Sequence, residues 1–247
     1  MHPVAAPDDV SVADYDRYRF AAPPELYERL RELGLAKTAK VVDVGIGTGL
    51  ASVPLAAEGA AISGVDPSAA MVAQARGRFP QAQIVQASAE HLPFGDAAFD
   101  AAIAADVFHL VDQEAALREA MRVVRKGGLV AMWWPTLSND TSILGLRATA
   151  SRESGTGPVP EALGGGFRAF YAAPFADRTL RVIPSIRDTT VAGWTGYERT
   201  RGEVYRALGN RAGAWLGALE EAMIRNYGSS DARVRAALLF YLYVGVV

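Results

Sequence analysis

Residues 41–49, Val-Val-Asp-Val-Gly-Ile-Gly-Thr-Gly, limit the possible folds more than any other stretch of this chain. A short β-branched run with an acid near its end gives way to alternating glycines, and a helix-compatible segment follows from Leu50. The pattern reads as a buried parallel strand, a tight turn and a helix whose N-terminus faces a ligand. Gly45, Gly47 and Gly49 permit positive φ and let the backbone approach that ligand closely. A dinucleotide site wants G-x-G-x-x-G with a pyrophosphate on the helix N-terminus. Here the last glycine comes one residue early, and Asp43 stands where it would repel a phosphate. A ligand carrying positive charge suits that aspartate better.

The segments that follow alternate between strand and helix. Residues 61–66 read as a strand ending in Asp66, about twenty residues past the glycine turn, where nucleoside-binding α/β folds hold both ribose hydroxyls. The plainer reading of Asp66 is a helix N-cap. Pro67 and Ser68 open a helix to about Phe79, with Met71 on its first turn. The Met71 thioether is placed either to pack on an adenine or to fill the helix core. Residues 84–94 form a strand and loop through Ser88, Ala89, Glu90 and His91. Residues 99–110 read as a buried strand whose open end carries Ala104, Ala105, Asp106 and His109, and ligands in open α/β sheets bind beyond such ends. Residues 119–135 read as helix, turn and strand.

These motifs, in this order, resemble the class I S-adenosylmethionine (SAM) methyltransferases. The resemblance covers about residues 15–135 and includes Ala89-Glu90-His91-Leu92-Pro93-Phe94 and Val123-Val124-Arg125-Lys126-Gly127-Gly128. It implies SAM as cofactor and S-adenosylhomocysteine as product. Asp43 and the three glycines would hold the methionine end and Asp66 the ribose. Pro67, Met71, Ser88, Ala89 and Glu90 lie at the adenine end, with Glu90 and His91 in a solvent-facing loop, and Ala104 and Ala105 border the cofactor. Ser88 departs from the usual aspartate, so its contact with adenine lacks charge assistance. Asp14-Tyr15-Asp16-Arg17-Tyr18-Arg19-Phe20 resembles the family's Y-x-R-Y-R-P cover element, with Phe20 in place of proline. By position, Tyr15 and Tyr18 would close over the cofactor and Arg19 would pair with its carboxylate. The other reading of this segment is a solvated helix leader.

The fold expected is α/β: a Rossmann-like, doubly wound, mostly parallel seven-stranded sheet with an antiparallel last strand and a helical or loop cap over the acceptor site. Residues 1–36 are expected to form an N-terminal lid segment and helix, 37–135 the SAM-binding core, 136–178 a Gly-, Pro-, Ser- and Thr-rich cap, and 179–247 the completion of the sheet with acceptor-side helices. In that last part, residues 178–186 and 237–247 read as strands, and residues 191–208 and 210–227 as two helices. Tyr171, Trp194, Tyr197 and Arg201 are the acceptor-side candidates.

Methyl transfer is an in-line displacement, and a base is needed only when the acceptor carries a proton. Of the three histidines, His109 is the one placed to serve, with Asp106 beside it; a structural histidine packing the loop is the equal alternative. The expected function is methyl transfer to a small molecule at O, N or C. Carboxyl methylation of a small polyacid, and SAM or S-adenosylhomocysteine binding without transfer, are the alternatives.

With 247 residues, half of them hydrophobic, the chain can build one large α/β domain with an accessory cap. A net charge of −2 gives no electrostatic case for a nucleic-acid partner. No apolar run reaches the roughly eighteen residues of a membrane span. The start, Met1-His2-Pro3-Val4, lacks the features of a signal peptide, so a cytoplasmic monomer or homodimer is expected. The absence of cysteine excludes disulfides, thiolate catalysis and cysteine-held metals, and no metal site is expected.

Overall fold

Val41, Ala101, Ile103, Ala131 and Trp133 pack into one hydrophobic core, while Val42, Ala102, Ala104, Val130, Met132 and Trp134 pack into a second. Successive strand residues point to opposite faces, so strands covered on both faces read as continuous apolar runs. The computed structural model describes residues 12–138, 142–159 and 167–247. The strands are β1 (Lys40–Val44), β2 (Ala61–Asp66), β3 (Gln83–Gln86), β4 (Phe99–Ala105), β5 (Val124–Leu137), β6 (Asp177–Thr190) and β7 (Arg233–Val246). They form one seven-stranded sheet in the order β3-β2-β1-β4-β5-β7-β6. Pairings from β3 through β5 are parallel, and β7 runs antiparallel to both β5 and β6. The expected architecture, antiparallel last strand included, is present. The chain order reverses at β1, and β1 and β4, on either side of that reversal, open together at their carboxyl ends.

The helices are α1 (Val12–Tyr18), α2 (Pro24–Glu32), α3 (Val53–Ala57), α4 (Ala69–Arg78), α5 (Gln113–Val123), α6 (Ser142–Glu153), α7 (Arg168–Ala172), α8 (Val191–Arg199), α9 (Gly202–Leu208) and α10 (Ala212–Tyr227). Pro24 opens α2 at the position where a missing N–H does no harm, and the helix buries Leu26, Tyr27 and Leu30. Asp112 caps α5 by accepting from the amides of Glu114 and Ala115, each at 3.1 Å.

The structure departs from expectation in two places. The helix expected over 191–208 breaks at Thr200 and Arg201 into α8 and α9, because Thr200 turns its hydroxyl back onto the Tyr197 carbonyl at 2.7 Å. The segment 136–178, read as loop-rich, contains the twelve-residue α6, which packs on α10 through Ile143 and Ala150. The glycine run 164–166 lies outside the described residues. Among the described residues no helix is long and apolar enough to cross a membrane.

Candidate functional site

The turn after β1 forms the floor of the site. Gly45, Gly47 and Gly49 take φ values of +71°, +55° and +89°, the left-handed region that other residues avoid. The Gly47 amide donates to Asp66 Oδ2 and the Ser68 amide to Oδ1, both at 2.9 Å. These bonds fix the Asp66 carboxylate at the end of β2 from two sides. Ser68, not Asp66, caps α4, its hydroxyl accepting from the Met71 amide. Burial still raises the Asp66 carboxyl above its ordinary range, against the two amides.

Asp43 lies deeper, 1% exposed. Its Oδ2 accepts from the Ser52 hydroxyl at 2.7 Å, whereas Oδ1, like Thr48 Oγ1, is buried with no hydrogen-bond partner among the described residues. Burial pushes this carboxyl up to about 7, with the Ser52 hydroxyl opposing and Asp66 adding to the rise. An unfolded aspartate titrates near 4. Between roughly pH 4 and 7 the folded chain therefore holds a proton that the unfolded chain has lost. Stability from this group is full below pH 4 and lost as pH rises through 7. Asp43→Asn should make the ligand-free protein more stable at pH 8 by roughly 1–4 kcal/mol and flatten its melting temperature between pH 5 and 8. An unchanged slope in thermal denaturation would show that Asp43 is not the group responsible.

The roof is α1 with the residues that follow it. The Arg78 guanidinium donates to Asp16 Oδ2 at 2.6 Å and to the Thr48 carbonyl at 2.8 Å, tying α1 to α4 and to the glycine turn. Tyr18 lies flat on α8 at Gly196, where a Cβ would sit only 2.4 Å from its ring. Phe20 stacks on Tyr197 with centroids 4.6 Å apart. Arg19 donates to Asp106 Oδ2 at 2.5 Å and to the Thr200 carbonyl at 2.8 Å, with its guanidinium over the rings of Tyr15 and Tyr197. Burial works against the Arg19 charge, but Tyr15, Asp106 and Glu203 more than restore it, so it stays protonated. Burial also raises the Tyr15 phenol.

A cavity of about 70 Å³ lies between floor and roof. Gly45, Ile46, Thr48, Ala105 and Asp106 border it on the strand side, and Tyr15, Arg19, Phe20, Tyr197, Trp133 and Phe240 complete the wall. Asp106 ends β4 with φ of +59°, a left-handed conformation that aspartate tolerates better than most residues. Behind it runs a buried chain of charges. His109 Nδ1 lies 3.8 Å from Asp106 Oδ1 and Nε2 lies 3.3 Å from Glu203 Oε1. Arg201 then reaches Glu203 at 3.8 Å and Glu198 at 3.4 Å, and Arg147 reaches Glu198 at 3.4 Å. Burial would raise the Glu203 carboxyl, but Arg201, His109 and Arg19 hold it down at about 2.

The structure thus gathers Tyr15, Arg19, Gly45, Ala105, Asp106 and Tyr197 around the cavity. Gly47, Gly49, Asp66, Pro67, Met71, Ser88 and Ala89 follow along the carboxyl ends of β1 to β3, outside it. Ala104 is buried inside β4, in the sheet core. Five expected residues are placed otherwise. Glu90 accepts from the Asp112 amide at 3.0 Å and so serves the start of α5. Tyr171 sits on α7, 55% exposed, its ring edge-on to Tyr243 in the core of the opposite sheet face. Trp194 is fully buried between Phe20 and Tyr197, supporting the wall rather than forming it. Arg201 is engaged by Glu198 and Glu203. His109 stands behind Asp106 and does not line the cavity. Phe20, Thr48, Trp133, Phe240 and Glu203 were not singled out from the sequence. The alternation of strand residues marks Trp133 and Phe240 as one-face residues, but nothing local marks Glu203.

Comparison with known proteins agrees with this geometry. A family model described as a methyltransferase domain matches residues 42–132. An uncharacterised methyltransferase of Mycobacterium tuberculosis is 34% identical over 126 residues, 51% of each chain. The malonyl-[acyl-carrier protein] O-methyltransferase of Geobacter sulfurreducens is 38% identical over 128 residues, 48% of each chain. The chain spans about half the length of these curated relatives. A solved structure from Anaeromyxobacter dehalogenans, described as a type II methyltransferase, superposes with a TM-score of 0.70 over 93% of this chain and 98% of that one, at 24% identity. Residues 42–132 therefore match a methyltransferase domain, and the fold is shared with a solved methyltransferase structure.

The residues of this site fit SAM, the cofactor that the resemblance implies. The unpartnered Asp43 Oδ1 and Thr48 Oγ1 are what a buried ammonium requires. A Cβ at Gly47 would point towards Tyr15, into the space beneath the roof. The cavity itself has room for only a few water-sized groups.

Proposed function

We propose that the methyltransferase moves the methyl group of SAM to a small-molecule acceptor by in-line displacement. The observation that carries this reading is the meeting, in one cavity, of the glycine turn, Arg19 and an otherwise apolar aromatic wall. In this reading Asp66 holds the ribose, with Pro67, Met71, Ser88 and Ala89 along the adenine. Asp43 and Thr48 take the ammonium, and Arg19 exchanges Asp106 for the cofactor carboxylate, which its planar fork can hold bidentately. The cofactor supplies an electrophilic methyl on a sulfonium. Charge disappears as that methyl transfers, so the walls of Phe20, Trp133, Tyr197 and Phe240 assist by excluding water. Carboxyl methylation draws support only from the Geobacter relative; Arg201, the cation it would use, is already engaged by two glutamates.

Product analysis with methyl-labelled SAM tests the reaction, and label that stays wholly on SAM with every small acceptor offered would refute it. Calorimetry tests the site. Arg19→Ala should weaken SAM binding by about tenfold or more. Equal affinity in the two proteins would remove Arg19 from the cofactor's contacts.

A further inference from the structure

We propose that Glu203 positions His109 as the end of a proton path that begins at Asp106, an inference that rests on the methyltransferase reading. Asp106 borders the cavity and His109 stands directly behind it. Each ring nitrogen of His109 faces one carboxylate, Nδ1 facing Asp106 at 3.8 Å and Nε2 facing Glu203 at 3.3 Å. The two nitrogens are not equivalent. Nδ1 is buried with no hydrogen-bond partner. Nε2 is the nitrogen closer to a carboxylate, and Glu203 is held anionic chiefly by Arg201. A neutral imidazole in this setting places its proton on Nε2, towards Glu203, and leaves the Nδ1 lone pair towards Asp106. No proton then lies between Nδ1 and Asp106. Adding one there gives a charge-assisted hydrogen bond and places an imidazolium between two carboxylates.

The balance of the reaction supplies that proton. Transfer forms the bond from the acceptor atom to the methyl carbon and breaks the carbon–sulfur bond, whose electron pair stays on sulfur. An O–H or N–H acceptor then has one proton to lose. Asp106, at the cavity wall, receives it and passes it to His109 Nδ1, while Glu203 holds the ring from its far side. Charged and aromatic groups surround the path. Arg19 and Arg201 face the two carboxylates, Tyr15 and Tyr197 stack against Arg19, and Glu198 and Arg147 close the chain. Glu203 reaches His109 from α9, ninety-four positions along the chain, and this long-range pairing makes it a positioning residue rather than a catalytic one.

The test reads the tautomer directly. Protein carrying ¹⁵N-histidine has three imidazoles, and His109→Gln identifies the resonances of His109. Wild type is expected to carry its neutral proton on Nε2. In Glu203→Gln the amide can donate as well as accept, and the ratio of the two tautomers should move at least tenfold towards Nδ1–H. Glu203→Asp should restore the wild-type tautomer, and it carries the test if the glutamine variant does not fold. Turnover of Glu203→Gln should fall about tenfold with SAM affinity within twofold of wild type. A proton on Nδ1 in wild type, or an unmoved ratio in Glu203→Gln with SAM binding intact, overturns the proposal and leaves the methyltransferase reading standing. Failure of wild type to bind SAM overturns that reading instead.

Discussion

Glu198→Ala is expected to destabilise the protein by about 3–5 kcal/mol, the usual result of removing one partner from a buried ion pair. Glu198 is fully buried at the junction of α6, α8 and α9, within 3.4 Å of both Arg147 and Arg201. Its removal takes away a carboxylate that both arginines face. Burial already lowers the proton affinity of Arg147, so that side chain depends on its carboxylate partner. For a chain of this size, 1 kcal/mol shifts the melting temperature by roughly 2–4 °C, which puts the expected loss at roughly 6–20 °C. Glu198→Gln keeps an acceptor oxygen and should lose less. Replacing Arg147 and Glu198 together by methionine and leucine should recover most of the stability, because an apolar pair of similar volume needs no desolvation of charge. Calorimetric melting of the three variants checks the ordering. A melting temperature for Glu198→Ala within 2 °C of wild type would mean that water, not protein, compensates the arginines.

Asp66→Asn is expected to weaken SAM binding about a hundredfold while leaving the sheet intact. Asp66 accepts from the amides of Gly47 and Ser68 at once, one on each oxygen. Asparagine offers a single acceptor oxygen and turns an N–H₂ group towards the other amide, an N–H facing an N–H. The substitution therefore loosens the glycine turn and removes the charged acceptor offered to the ribose diol. Two lost charge-assisted hydrogen bonds at about 1.5 kcal/mol each correspond to roughly a hundredfold in affinity. Titration calorimetry measures it, and a loss under threefold would mean that Asp66 serves the turn alone. Far-ultraviolet circular dichroism should match wild type, because β2 pairs through its backbone with β1 and β3.

The core was legible in the sequence because its physics is local. A parallel strand covered on both faces reads as a near-continuous apolar run, and Val41 to Val44, broken only by Asp43, and Ala101 to Ala105 show this. Alternating glycines at a strand end have few uses other than a turn with positive φ. The order of the motifs then gave the sheet. The cap resisted reading for the opposite reason. Arg147, Glu198, Arg201 and Glu203 each look like solvated helix residues, since charged side chains are rarely buried unless paired. Their pairing spans α6, α8 and α9 and exists only after the cap has formed. Tyr171 was misplaced on the same ground: its neighbours Phe170 and Phe175 pack into the sheet face opposite the site, and no local spacing reveals which face a short helix chooses. Phe20, a departure from the family's proline, gains a reason in the fold, because it stacks on Tyr197 and forms part of the cavity wall.

The tie between α1 and α4 bears on how quickly anything can leave. Arg78 holds Asp16 and the Thr48 carbonyl together, and both side chains of that ion pair are a fifth to a quarter exposed. If α1 covers bound cofactor, this partly wetted ion pair is among the contacts that yield before the cofactor leaves, and dissolved salt weakens it. Raising the ionic strength should then speed release more than it weakens binding.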